Sequence, residues 1–216
     1  MTWRVPLSDV NLDSAEIDAV VAVMRSGWLT MGSITQAFEQ EFAAFTGSKH
    51  ALAVTNGTAA LHLACLALDL GPGDEVILPS LTFVASANAI RYTGATPVFA
   101  DIESTDWLCL SPEAVGAAIT PQTKAIMVVH YAGYPCDMPA ILEIARQHHL
   151  VVIEDAAHAV GAALEGKALG TWGDVGCFSF FGNKNLTTGE GGMLLTQEDQ
   201  LAEKLQRLRS HGMTTL

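Results

Sequence analysis

One lysine, Lys184, stands in the short polar turn Gly182-Asn183-Lys184-Asn185, between the apolar run Val175 to Phe181 and the glycine-rich stretch Gly189-Glu190-Gly191-Gly192. A lysine held against packed apolar residues loses part of its charge, and the neutral amine is a nucleophile. In a solvated turn it would be an ordinary surface lysine, as most lysines are. The residues that could work with it decide between the two. Val151-Val152-Ile153 is an apolar run ending in Glu154-Asp155 and followed by Ala156-Ala157-His158. Strand alternation sends the two acids to opposite sides. A carboxylate at the end of an interior strand is costly unless a cation or donors meet it. A protonated heterocyclic nitrogen would be one such partner; the backbone of the next turn would be another. Asn56-Gly57-Thr58-Ala59-Ala60 links an apolar run to a helical one. There the N–H groups of a helix N-terminus attract an anion, and glycine lets it come close. An ordinary strand-to-helix turn would carry the same residues. Ser179, five residues before the lysine, adds a hydroxyl that could bind phosphate.

An anion cradle, an acid for a ring nitrogen and an amine for an aldehyde are together what pyridoxal phosphate needs from a protein. Neither GxGxxG nor GxxxxGK[ST] occurs, so dinucleotide and nucleoside-triphosphate loops are not supported.

These groups must be positioned by strands and helices, and the pattern supplies both in alternation. Residues 13–26 and 35–45 read as two helices. Ile17, Val20, Val21 and Met24 give the first its apolar stripe; Phe38, Phe42 and Phe45 line the second. From residue 51 onward short apolar strands (51–55, 75–78, 96–100, 124–129, 150–154, 175–181, 193–195) alternate with helices (58–68, 82–92, 112–119, 138–148, 199–210). Short connections between alternating strands and helices predict an α/β fold: three layers, α/β/α, around a mostly parallel central sheet. In such sheets ligands bind beyond the carboxyl ends of the strands. That rule selects Asn56-Gly57-Thr58, Asp155 with His158, and Ser179 to Lys184.

Composition bounds the function further. The chain has 216 residues, half of them hydrophobic and 16% charged, with a formal net charge of −12. A sizeable core is expected. The acidic balance argues against nucleic acid as a partner, since that needs a basic face. Cys65, Cys109, Cys136 and Cys177 form no CxxC pair, and the seven histidines lack ligand spacing. Neither a disulfide framework nor a metal site is expected. No run reaches the length of a membrane span, and Met1 to Asp9 has no apolar core of a signal peptide. A cytoplasmic protein is the expectation.

Several segments, in order, resemble one family. They are Gly27-Trp28-Leu29-Thr30 with Gly32; Asn56-Gly57-Thr58-Ala59-Ala60-Leu61; Gly71-Pro72-Gly73-Asp74-Glu75-Val76; Pro79-Ser80-Leu81-Thr82-Phe83-Val84-Ala85; Glu154-Asp155-Ala156-Ala157-His158-Ala159; and Phe178-Ser179-Phe180 through Lys184 to Gly191-Gly192. Together they resemble the DegT/DnrJ/StrS sugar aminotransferases, which use pyridoxal 5'-phosphate on an aspartate-aminotransferase-like large domain of fold type I. The resemblance implies that Lys184 carries the cofactor as a Schiff base and later shuttles a proton. It implies that Asp155 pairs with the pyridine nitrogen and that Phe83 stacks on the ring. Gly57, Thr58, Ala59 and Ser179 would hold the phosphate. His158 would lie near the ring, or be a satisfied interior histidine. Trp28, Leu29 and Thr30 would lie near the substrate mouth.

The implied reaction moves an amino group from an amino-acid donor, usually glutamate, to a keto-sugar nucleotide, in a homodimer. Relatives that act as sugar dehydratases replace the lysine with histidine, so Lys184 favours transamination. Family members are about twice as long, with a smaller domain after the lysine. Residues 1–216 therefore correspond to the cofactor-binding large domain, with a helical segment over about 1–47. A non-catalytic cofactor-binding or dimerising module, and a dehydratase on the same scaffold, stay open as other readings.

Overall fold

The protein is described here over residues 10–213 by a computed structural model; the first nine residues of the N-terminal helical segment and residues 214–216 lie outside the described residues. The apolar runs become strands of one seven-stranded sheet. They are β1 (His50–Val54), β2 (Glu75–Pro79), β3 (Thr96–Ala100), β4 (Thr123–Val129), β5 (Val151–Asp155), β8 (Val175–Ser179) and β9 (Gly192–Thr196), in the order β1-β9-β8-β5-β4-β2-β3. Strands β8, β5, β4, β2 and β3 pair in parallel, and β9 runs antiparallel to both β8 and β1. All strands except β9 therefore end at the same edge of the sheet, which collects the loops after each of them.

Helices cover both faces because alternate strand residues point to opposite sides. On one face α3 (Gly57–Ala67), α4 (Val84–Tyr92) and α7 (Asp199–Arg209) pack on Leu52, Val76, Leu78, Met127, Ile153 and Leu194. On the other, α5 (Pro112–Ala118) and α6 (Met138–His148) pack on Ile77, Ile126, Val128 and Val152. Beside them α2 (Ser33–Thr46) inserts Phe42 edge-on between Phe178 and Phe180, with ring centroids at 5.2 and 5.4 Å. This is the expected three-layer arrangement.

Three local outcomes differ from the sequence pattern. Helix α1 (Ser14–Ser26) forms where expected, with a full capping box between Asp13 and Glu16, but buries none of its residues. Ile17, Val20 and Met24 stay more than half exposed. Helix α4 starts at Val84, two residues later than the pattern suggests, because Phe83 takes extended backbone angles as its N-cap. A two-residue hairpin, β6 (Ala163–Leu164) with β7 (Lys167–Ala168), is too short to show any alternation in sequence.

Candidate active site

The strand ends enclose a cavity of about 580 Å³. Gly57 and Thr58, Phe83, Asp155, His158, Ser179 and Lys184 all line it, reaching it from four separate connections. Ala59 does not line the cavity: its amide is taken by the Asn56 side chain, which caps α3 at 2.8 Å. The hairpin turn that Asn-Gly often signals is thus not formed. Asn56→Ala is expected to cost about 1 kcal/mol in urea unfolding, the usual worth of such a cap. Trp28, Leu29 and Thr30 are also not among the lining residues. Trp28 instead donates its Nε1 hydrogen to the Met31 carbonyl at 3.2 Å.

The cradle at the start of α3 is tight by construction. A Cβ on Gly57 would come within 2.8 Å of the Ser179 Cβ, and one on Gly192 within 2.6 Å of the Asn56 backbone. Glycine at both positions lets the β1–α3 turn, the end of β8 and the start of β9 meet without side chains between them. An anion seated there would meet backbone N–H groups beside the Ser179 hydroxyl. The lysine turn hangs from the same place. Lys184 N–H donates to the Phe181 carbonyl at 2.9 Å, and Thr188 N–H and the Thr187 hydroxyl both donate to the Phe180 carbonyl. Asn185 Nδ2 ties the turn to the Val160 carbonyl at 2.9 Å.

Burial lowers the Lys184 pKa below the usual lysine value, with the Asp155 charge working against it. Burial and then the Lys184 charge also lower His158, again opposed by Asp155. The three groups therefore share one electrostatic site. His158 Nδ1 accepts from the Ala132 N–H at 3.2 Å, so the proton of its neutral form sits on Nε2.

Glu154 and Asp155 separate as alternation requires. Glu154 is fully buried and points away from the cavity. It accepts from the Gly170, Trp172 and Gly173 amides, each at 2.7 Å, and from His130 Nε2 at 2.9 Å. His130 Nδ1 in turn accepts from the Cys136 N–H, which leaves its ring proton on Nε2. The His130 N–H donates to the Asp155 carbonyl. Glu154 thus holds the loop before β8 and the end of β4 in place around β5. Glu154→Ala would strand two buried donors, on His130 and Gly170, and two part-buried ones, and we expect a loss of about 3–5 kcal/mol in thermal or urea unfolding.

Tyr131, Asn183 and Glu190 also line the cavity, and Ser86 supports it from behind; Asn183 and Glu190 stand out in the sequence only as neighbours of Lys184, and Tyr131 and Ser86 not at all. Applying the strand-end rule to β2 and β4 as well would have pointed to the segments that hold Thr82, Ser86 and Tyr131. Among the described residues no group of three or more His, Cys, Asp or Glu is arranged to hold a metal ion. No helix among them is long and apolar enough to cross a membrane.

Comparison with known proteins gives the family and the fold. The model of the DegT/DnrJ/EryC1/StrS aminotransferase family matches residues 10–215. GDP-perosamine synthase of Caulobacter vibrioides is 52% identical over 211 residues, covering 97% of this chain and 57% of that protein. Spore coat polysaccharide biosynthesis protein SpsC of Bacillus subtilis is 51% identical over 209 residues, covering 97% and 54%. The chain thus spans a little over half the length of these curated relatives. Among solved structures, the PLP-form of Spr1654 from Streptococcus pneumoniae superimposes with a TM-score of 0.92 at 32% identity, covering 97% of this chain and 59% of that one.

Proposed function

The chain belongs to the DegT/DnrJ/EryC1/StrS aminotransferase family, and on that premise we propose that the protein is a pyridoxal-phosphate-dependent sugar aminotransferase. It would take an amino group from an amino acid, glutamate first among the candidates, and give it to the keto group of a nucleotide-linked sugar. One observation carries the reading. A half-buried lysine, a buried aspartate and a glycine cradle beside a serine hydroxyl, all from different strand ends, line one cavity. The residues fit the cofactor. The cradle is closed to any Cβ at Gly57, as a phosphate seat requires, and the cavity volume is within the usual range for a small-molecule site. The names of the relatives support the sugar class: one makes GDP-perosamine, and one serves spore coat polysaccharide.

When bound, pyridoxal phosphate supplies an aldehyde that takes up amino groups and a ring that delocalises electrons from the reacting carbon. The chain's own residues would do the rest. The Gly57 and Thr58 amides and the Ser179 hydroxyl bind the phosphate, and the Ala59 amide, held by Asn56, keeps the cradle rigid. Asp155 holds the proton of the ring nitrogen. Lys184 Nζ, with its pKa lowered by burial, is neutral more often than an exposed lysine. Its neutral amine would be the nucleophile that holds the cofactor and would carry protons within the site. His158 offers its Nε2 hydrogen as a donor to the cavity, and Phe83 an apolar ring face.

Phe83 is 72% exposed, as is much of the apolar side of α1. A second copy of the protein would cover such surface, and a homodimer is part of the proposal. The cytoplasm, where thiols stay reduced, is the proposed location, in keeping with four free, buried cysteines. The test is a product assay with a panel of keto-sugar nucleotides and amino-acid donors. The reading expects an amino-sugar nucleotide and a 2-oxo acid in equal amounts. Ammonia with a deoxy-sugar, or no product from the whole panel, would contradict it.

A further inference from the structure

Asp155 is held by two donors besides anything in the cavity. Its Oδ1 accepts from the Ala157 N–H at 3.2 Å, and its Oδ2 accepts from the Ser86 hydroxyl at 2.7 Å. Ser86 has no solvent exposure and does not line the cavity. It sits in the first turn of α4, where its own amide already bonds to the Phe83 carbonyl. The helix does not need the hydroxyl, and burying one among residues such as Ala85, Ala89 and Ile90 is costly unless it is bonded. Thr82 Oγ1, on the cavity wall, lies 2.7 Å from Ser86 Oγ. A carboxylate can only accept. The single Ser86 proton therefore goes to Asp155, and Thr82 donates to Ser86. The three side chains form a one-way donor chain, Thr82 to Ser86 to Asp155, from the β2–α4 junction to the end of β5.

We propose that Ser86 is a positioning residue for the ring nitrogen of the cofactor. Its short bond to Oδ2, with the Ala157 bond to Oδ1, fixes the plane of the Asp155 carboxylate and the lone pairs it turns to the cavity. This rests on the pyridoxal-phosphate reading above. Ser86 acts only through Asp155, so its effect is confined to ligands that carry a basic nitrogen opposite that carboxylate.

The test compares the wild-type protein with Ser86→Ala. It measures the dissociation constants of pyridoxal phosphate and of its 1-deaza analogue, in which a carbon replaces the ring nitrogen, by absorbance titration. Loss of a hydrogen bond to a charged group should weaken pyridoxal phosphate about tenfold or more and leave the analogue within about twofold of wild type. The ratio of the two constants within one variant is unaffected by any general loss of folded protein. Equal weakening of both compounds, or of neither, would overturn the role of Ser86 while leaving the cofactor assignment standing. A wild type that binds neither compound would overturn the cofactor reading, and this proposal with it.

Discussion

Lys184→Ala is expected to lower aminotransferase turnover by a factor of about 10⁴ or more, since it removes both the nucleophile and the group that moves the proton. The same change should leave unfolding within about 0.5 kcal/mol of wild type. The reason lies in how the turn is built. The bonds that hold residues 181–191 include those from the Lys184 N–H, the Thr187 hydroxyl, the Thr188 N–H and Asn185 Nδ2; the lysine amine takes part in no hydrogen bond among the described residues. Its half-buried ammonium is also a cost to the fold, as its lowered pKa records. Steady-state kinetics alongside urea unfolding separates the two effects. A variant that unfolds in step with its loss of activity would assign Lys184 a structural role instead.

Asp155→Asn is the second large effect, and two readouts should move in opposite directions. Turnover should fall by about one to two orders of magnitude, because a neutral amide replaces a charge-assisted bond of roughly 1.5–3 kcal/mol. The amine of Lys184 should become easier to use. The Asp155 charge raises the Lys184 pKa against the effect of burial. Without that charge the ammonium loses a stabilising neighbour, its pKa falls further, and the neutral amine is present at lower pH. Trapping of a simple aromatic aldehyde on the protein by borohydride, followed against pH, should shift to the acid side in the variant. A shift to the alkaline side would show that the aspartate does not act on the lysine as the site geometry implies. Near-full turnover would remove the ring-nitrogen role from Asp155.

The layers of this fold are legible in the sequence because strands of an interior parallel sheet are continuously apolar and punctuated by turns. Val151 to Ile153 and Val175 to Phe178 leave little choice of element. The candidate site residues are legible for the same reason: a lysine or a paired acid at the end of such a run breaks the apolar pattern. What does not show is anything that depends on side chains meeting across the sheet. Ser86 looks like any small residue in a helix, and only the approach of α4 to β5 makes it a partner of Asp155. Glu154 could not be told from Asp155 by composition. Its four donors come from residues 130 and 170–173, which are far apart in sequence. Helix α1 shows the opposite limit: its apolar stripe is correctly periodic, yet none of the described residues covers it.

The central claim, that Lys184 is the covalent seat of pyridoxal phosphate, has a direct measurement. The protein is loaded with the cofactor, reduced with borohydride, digested and mapped by mass spectrometry. About one pyridoxyl group per chain is expected, on the peptide containing Lys184. A stoichiometric label on any other lysine, or a cofactor released intact after reduction, would contradict it.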